Sequence, residues 1–228
     1  YQWGGRVLRK LQVEIINPQH RYLSYHASSP LDSFKIPYLH IYLLKCDSLE
    51  EYKAAIRQRL CAWVNERKHS ANGLGKTEFL VVYVPRLYHV ADADKVNTIT
   101  KKLLEKIRLD VNEGKEEHCA RISLFQNDYM HNSGDRDTSS EAVASGDGEW
   151  VEMMGLVFRS ITSAFELRCR KLEDMVLKLE HQVDVPGWNY CTYLIVKENL
   201  ALCWLQIGQP FDALRILDSL AMHFDNIV

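Results

Sequence analysis

Pro37-Tyr-Leu-His-Ile-Tyr-Leu-Leu44 and Phe79-Leu-Val-Val-Tyr-Val84 decide how the first half of this chain is read. Both runs are short, nearly all apolar, rich in aromatic and branched residues, and each is flanked by a proline (Pro37 before the first, Pro85 after the second). That is how strands buried on both faces read. Between them, Ser48-Leu-Glu-Glu51 has capping-box spacing: the Ser48 hydroxyl takes an orphan amide and Glu51 reaches back to the Ser48 amide. Leu49, Tyr52, Ile56, Leu60, Trp63 and Val64 then recur at helical spacing to about Arg67, and Asn72-Gly73-Leu74-Gly75 turns the chain. After the second strand, Asp92 or Asp94 starts a helix with Val96, Ile99, Leu103, Ile107 and Val111 on one face, closed by Gly114. Cys119-Ala-Arg-Ile-Ser-Leu-Phe125 reads as a third, more exposed strand. Strand–helix–strand–helix–strand at this spacing predicts parallel pairing through right-handed crossovers. The expected result is a small, mostly parallel α/β sheet with helices on its faces.

Working outward, Leu11-Gln-Val-Glu-Ile-Ile16 alternates enough for a strand, and Pro18 and Pro30 punctuate the connection that follows. Residues 126–149 are rich in Ser, Asp, Gly and Asn, which predicts a flexible surface loop. From Trp150 the period becomes helical, with Met153, Met154, Val157, Ile161, Phe165, Leu172, Met175, Val176 and Leu179 supporting a helix to about His181. A run that long predicts a break or bend inside it. Pro186-Gly187 resets the chain, a helix follows from about Trp188 to Ile207, and Gly208-Gln-Pro210 precedes a last helix over Phe211–Phe224. Gly208, Ala213, Leu217 and Leu220 match the small and apolar positions in the second half of a tetratricopeptide-like helical pair. Such pairs bury their apolar faces only by stacking on further repeats. The reading is therefore an α/β domain over residues 1–125, a flexible loop over 126–149, and the start of an α-solenoid over 150–228. The start at Tyr1 and the apolar end at Asn226-Ile-Val228 suggest a piece of something longer.

Composition bounds the function. With 46% hydrophobic and 25% charged residues in 228, the chain reads as a globular protein rather than a disordered one. Its formal net charge of −2 provides no global basic field for nucleic acid or an anionic membrane. Cys46, Cys61, Cys119, Cys169, Cys191 and Cys203 are widely spaced, mostly among apolar residues, and form no Cys-x-x-Cys pair. They read as reduced core thiols of a cytosolic protein. No apolar run approaches the roughly 18–20 residues needed to span a bilayer.

The search for reaction chemistry comes up short. Gly75-Lys76-Thr77 invites a phosphate-loop reading, but Ser70 stands where that loop needs its first Gly, and the segment runs into a strand rather than a helix. Asp135-Arg-Asp137-Thr-Ser139 resembles a calcium loop, yet Ser140 takes the turn-Gly position and Gly146 the bidentate-Glu position. The nine His lack metal-ligand spacing, and His40, alternating with apolar neighbours in an expected central strand, reads as a hydrogen-bonded core or edge residue satisfied by a backbone carbonyl. Lys101, Lys102, Lys106 and Arg108 share one helix with Glu105 and Asp110 and read as a solvated face. Arg168, Arg170 and Lys171 make a second basic group opposite the apolar stripe of the long helix, a candidate for an acidic partner or membrane. Trp188, Tyr190, Tyr193 and Trp204 crowd one region as helix core, with Trp188, beside the Pro-Gly break, the one expected to be partly exposed and to anchor a partner. No catalytic residue, cofactor site or metal site is implied.

Certain of these stretches resemble a known family. Pro37-Tyr-Leu-His-Ile-Tyr42, Glu51-Tyr52-Lys53 with Trp63, Phe79–Val84, Pro186-Gly-Trp-Asn-Tyr-Cys191, Glu198-Asn-Leu-Ala201 and Phe211-Asp-Ala-Leu214 resemble the N-terminal region of the large TRAPP II subunit, the subunit-ten family. The likeness runs over about residues 36–125 and 150–224, and the Pro-Gly-Trp-x-x-Cys stretch is its most specific part. It implies a non-catalytic scaffold in a Golgi-associated complex that promotes nucleotide exchange on Rab GTPases and tethers vesicles. The implied partners are the small longin-fold and sedlin-like subunits, the other large subunit, and a Rab through the assembled complex. The implied location is cytoplasmic, peripheral on Golgi and trans-Golgi membranes, with no cofactor and no nucleic acid. On residues alone two other classes stay open: a free-standing helical-repeat adaptor for peptide tails, and a nucleotide-binding enzyme on the α/β half.

Overall fold

The computed structural model describes residues 2–3, 6–7, 36–69, 77–85, 93–112, 114, 116–123 and 139–225. The expected strand at Leu11–Ile16, the turn at Asn72–Gly75, Lys76, and the calcium-like Asp135–Asp137 lie outside these. Strands β1 (Gln2–Trp3) and β2 (Arg6–Val7) form a two-stranded antiparallel ribbon that the sequence reading did not anticipate. The rest divides into two compact units. One takes in Leu39–His69 and Glu78–Ser160; the other takes in Ile161–Val228 and residues 36–38.

In the first unit, β3 (Leu39–Lys45), β4 (Glu78–Val84) and β5 (Cys119–Arg121) form a parallel sheet in the order β3-β4-β5. The register sets His40 against Phe79, Tyr42 against Val81 and Leu44 against Tyr83, with Cys119 against Val81 on the far side. Because side chains alternate with period two, this in-phase pairing brings Tyr42, Leu44, Phe79, Val81, Tyr83 and Cys119 into one core. Tyr52, Leu60, Val64, Leu103, Ile107 and Val111 from the crossover segments complete it.

Position in the sheet corrects two expectations. The central strand is β4, buried along nearly its whole length. Among the described strands β3 lies at an edge, and it is not buried on both faces: Ile41 is 44% exposed and Leu43 72%. β5 is shorter than expected and is not the exposed strand, since Cys119 and Ala120 are wholly buried.

The first crossover shows why a capped amphipathic stretch still differs from an ideal helix. It comprises α1 (Leu49–Glu51), a π-helical turn (Tyr52–Ile56) and α2 (Arg57–His69). Ser48 Oγ accepts the Glu51 amide at 3.1 Å, and Glu51 Oε2 accepts the Asp47 amide at 3.0 Å, one residue before the expected Ser48 amide. Tyr52, at the head of the wide turn, is buried and its hydroxyl donates to Asp110 Oδ2 at 3.0 Å. Asp110, near the end of α3 (Ala93–Val111), also accepts from Arg57 Nε at 2.9 Å and Lys106 Nζ at 3.0 Å. One carboxylate thus ties both crossovers together. After α3, Gly114 takes a positive φ of 61°. The Asn112 side chain then accepts the His118 amide at 2.9 Å and leads into β5.

Helix α4 (Ser139–Glu180) is one uninterrupted helix of 42 residues, so no break interrupts it. It also begins at Ser139, well before Trp150. Glu149 fastens its early turns to the sheet unit by accepting from Arg121 Nε and from the Ser123 amide, both at 2.6 Å.

In the second unit the later part of α4, α5 (Tyr190–Gln206) and α6 (Pro210–Asp225) share a core of Phe165, Cys169, Leu172, Val176, Tyr193, Val196, Leu200, Cys203 and Ile207. Asn189 caps α5 by accepting the Thr192 amide at 3.0 Å. Gly208, at φ +74°, ends it: its amide reaches Leu205 O at 3.0 Å and the Gln209 amide reaches Trp204 O at 2.9 Å. This is a Schellman closure, in which the left-handed residue favours glycine.

Candidate interaction surfaces

The second unit is held by a buried polar knot as well as by its apolar core. Lys197, on α5, is 7% exposed. Its ammonium donates to the Tyr193 hydroxyl at 2.6 Å, to Ser219 Oγ on α6 at 2.9 Å and to Glu180 Oε1 on α4 at 3.4 Å. A buried ammonium is tolerable only with such partners, and these three also set the relative register of α4, α5 and α6. Sequence reading passed over Lys197 because nothing local in Tyr193-Leu-Ile-Val-Lys197 marks it as buried.

With α5 served by one side of α6, the other side is open. Ala213, Ile216, Ser219 and Leu220 are buried or half-buried, whereas Phe211 is 86% exposed, Met222 63%, Leu214 55% and Leu217 38%. Phe211, Leu214, Leu217 and Met222 recur at three to five residues, so α6 carries a second apolar stripe turned outward. Leu205, near the end of α5, is also exposed. Of the repeat-like positions, Ala213 and Leu220 face inward and Leu217 faces out.

Trp188 is half-buried. Its indole Nε1 donates to Leu179 O at 2.8 Å, and its ring lies 5.7 Å from Tyr190 and 5.6 Å from Tyr193. Much of it therefore closes the end of α4. Arg168 is corrected outright: it does not share a solvated face with Arg170 and Lys171. It is 1% exposed, with its guanidinium 4.1 Å above the Tyr38 ring. Arg170 is exposed and Lys171 half-buried.

In the sheet unit, the edge strand β3 presents Ile41 and Leu43 outward. His40, on the same strand, is half-buried and faces the guanidinium of Arg67, with His40 Nε2 to Arg67 Nη1 at 3.4 Å, rather than a backbone carbonyl. Burial, helped by the Arg67 charge, pulls its imidazole down to about 4, so it is neutral at physiological pH. Lys106 and Arg108, expected on a solvated face, pair with Asp110 and Glu152. Among the described residues no group of three or more His, Cys, Asp or Glu stands close enough to hold a metal ion, and no helix is long and apolar enough to cross a membrane. The strand order β3-β4-β5 runs without reversal, so the described sheet lacks the switch point at which open α/β sheets bind ligands.

The family model described as "Trafficking protein particle complex subunit 10-like, N-terminal" matches residues 3–182. A trafficking protein particle complex subunit 10 of Dictyostelium discoideum is 25% identical over 224 residues, covering 92% of this chain and 15% of that protein. The human protein of the same name is 28% identical over 194 residues, covering 84% of this chain and 14% of its own length. A trafficking protein particle complex II-specific subunit 130 homolog of Arabidopsis thaliana is 26% identical, covering 91% and 14% respectively. The chain thus spans about one seventh of the length of these relatives. No solved structure matches it. Since the family match takes in the whole sheet unit and all of α4, this chain belongs to the trafficking protein particle complex subunit 10-like family, in its N-terminal region.

Proposed function

We propose that this chain is a non-catalytic scaffold segment of a TRAPP II-like assembly in vesicle trafficking, working through docking faces. The observation that carries the reading is the outward stripe of α6, together with family membership. Phe211, Leu214, Leu217 and Met222 place apolar area in water where a lone three-helix unit has no use for it. A following helix of a longer chain, stacked as in an α-solenoid, would cover it. The relatives are about seven times as long as this chain, which leaves ample room for such a helix. Trp188, Arg170 and Lys171 are further contact points for a partner subunit. The finer reading is a subunit of a complex that exchanges nucleotide on Rab GTPases. Its small and large partner subunits would carry it, peripherally, to Golgi and trans-Golgi membranes from the cytoplasm.

The test is capture of the tagged full-length protein from its own cells, followed by mass spectrometry. The small TRAPP subunits are expected in stoichiometric amount. Recovery of the protein without them would end the reading, and a saturable rise in melting temperature with nucleotide would point to the enzyme alternative instead.

A further inference from the structure

The open edge of the sheet unit has no part in the α6 docking face. Among the described residues β3 has one strand neighbour, β4, so the other side of its backbone pairs with no strand. Such an edge is a template for a further strand, and proteins usually blunt it with a proline, a bulge or a charge. β3 uses none of these along Leu39-His-Ile-Tyr-Leu-Leu44. Its register with β4 runs unbroken over all seven residues, and its lysine, Lys45, stands at the last position. On the face away from the core cluster, Ile41 and Leu43 are exposed, although Leu80 and Val82, their partners on β4, are buried. An apolar row that is covered at the centre of the sheet is thus left in water at its margin.

We propose that this edge pairs with the same edge of a second copy of the chain, antiparallel and centred on Tyr42, to join the two sheets across a twofold axis. β3 is nearly symmetric about Tyr42: an exposed apolar residue stands one step to either side, both on the same face. In an antiparallel pair, directly opposite side chains lie on one face, and each face takes alternate residues. Centring on Tyr42 meets that condition and uses the whole strand. Leu39 then meets Lys45 of the other copy, His40 meets Leu44, and Ile41 meets Leu43, twice over. Each exposed apolar side chain is covered by the other. The next in-phase registers do worse: one sets Ile41 on itself and Leu43 on Leu39, the other sets Leu43 on itself and Ile41 on Lys45, and both shorten the ladder. Charge favours the same arrangement. The two Lys45 ammoniums fall at opposite ends, about 20 Å apart at roughly 3.4 Å per residue, whereas parallel pairing would bring them together. A twofold interface of this kind closes on itself, so assembly stops at two copies. One seven-residue edge is a small interface, so a dissociation constant on the order of tens of micromolar is expected.

The experiment is sedimentation velocity of the full chain from about 5 to about 300 µM, a range that brackets such an affinity. The mean mass should rise from 26.5 kDa toward twice that value. A mass that stays at 26.5 kDa throughout overturns the proposal. Leu43→Lys puts a charge against Ile41 of the other copy and should hold the chain monomeric at every concentration. Its thermal melt should match the parent's, because that side chain is already in water. A folded variant that still dimerises overturns the proposal. Cross-linking reads the register, and serves alone if that variant does not fold. In a Cys61→Ser, Cys191→Ser background the remaining native cysteines are buried. Ile41→Cys and Leu43→Cys chains are mixed and mildly oxidised. The mixed pair should link about ten-fold faster or more than either like pair, whose Cα atoms sit on diagonal positions about 7–8 Å apart, too far for a disulfide. Equal rates overturn the proposal. So does a chain that stays monomeric while Leu43→Lys strips a small TRAPP subunit from the full-length protein, since the edge then belongs to a partner's strand.

Discussion

Replacing Asp110 with Ala removes the carboxylate on which the two crossovers of the sheet converge. Three donors lose their acceptor. The Tyr52 hydroxyl belongs to a residue with 0% exposure and cannot turn to water, so its orphaning costs ~1–3 kcal/mol. Lys106 loses an i,i+4 pair of about 0.3–0.5 kcal/mol. Arg57 is half exposed and recovers its hydration, so its ion pair adds little. The sum is a loss of about 2 kcal/mol, which at a urea m-value of about 2 kcal/mol/M lowers the midpoint by about 1 M. The pH dependence has a definite sign. Burial works against the Asp110 charge, but the bonds from Arg57, Lys106 and Tyr52 outweigh it and hold the carboxyl below its ordinary value. A depressed carboxyl stabilises the fold above the unfolded pKa of about 3.9, and that contribution is lost as pH falls through the folded value. The deficit of Asp110→Ala, followed by tryptophan fluorescence in urea, should therefore shrink as pH is lowered from 5 toward 3. A midpoint shift under about 0.2 M at pH 7, or a deficit that grows on acidification, would refute the reasoning. Tyr52→Phe supplies the control: it should cost about 1 kcal/mol alone, and in the Asp110→Ala background it should instead recover about 1 kcal/mol or more, because it removes the orphaned hydroxyl.

Three further outcomes are expected. Lys197→Met should lower stability by about 2 kcal/mol in thermal melts, because the Tyr193 hydroxyl and Glu180 lose a buried partner, partly offset by the access of Glu180 to water. Phe211→Glu should leave the stability of this chain in urea within ~0.5 kcal/mol of the parent, since the side chain is 86% exposed, yet make the longer protein more sensitive to trypsin near α6; equal sensitivity would count against a stacked neighbour. Gly208→Ala should cost about 1 kcal/mol through its positive φ alone, as no atom lies within 4 Å of the added carbon, and a neutral effect in denaturant titration would argue against the left-handed closure.

How far this molecule can be read without coordinates depends on how local each cause is. Alternation and apolar runs at Leu39–Lys45 and Glu78–Val84, the Ser48 cap, and the helical period after Trp150 act over a few residues, so the parallel sheet and the helices that follow could be read from them. The family likeness rests on the same stretches. Edge against centre is different: β3 and β4 look alike as strings, and only the pairing order leaves Leu43 in water while burying Leu80. The fate of charge also waits on tertiary contact. Arg168 and Arg170 are two residues apart and equally basic, yet one lies over Tyr38 in the core and the other stands in solvent, because a helix turns about 200° between them. Lys197 with Glu180 and Ser219, and Asp110 with Tyr52, are each joined across different helices. Burial and partnership of that kind are properties of packed surfaces, and no local pattern encodes them.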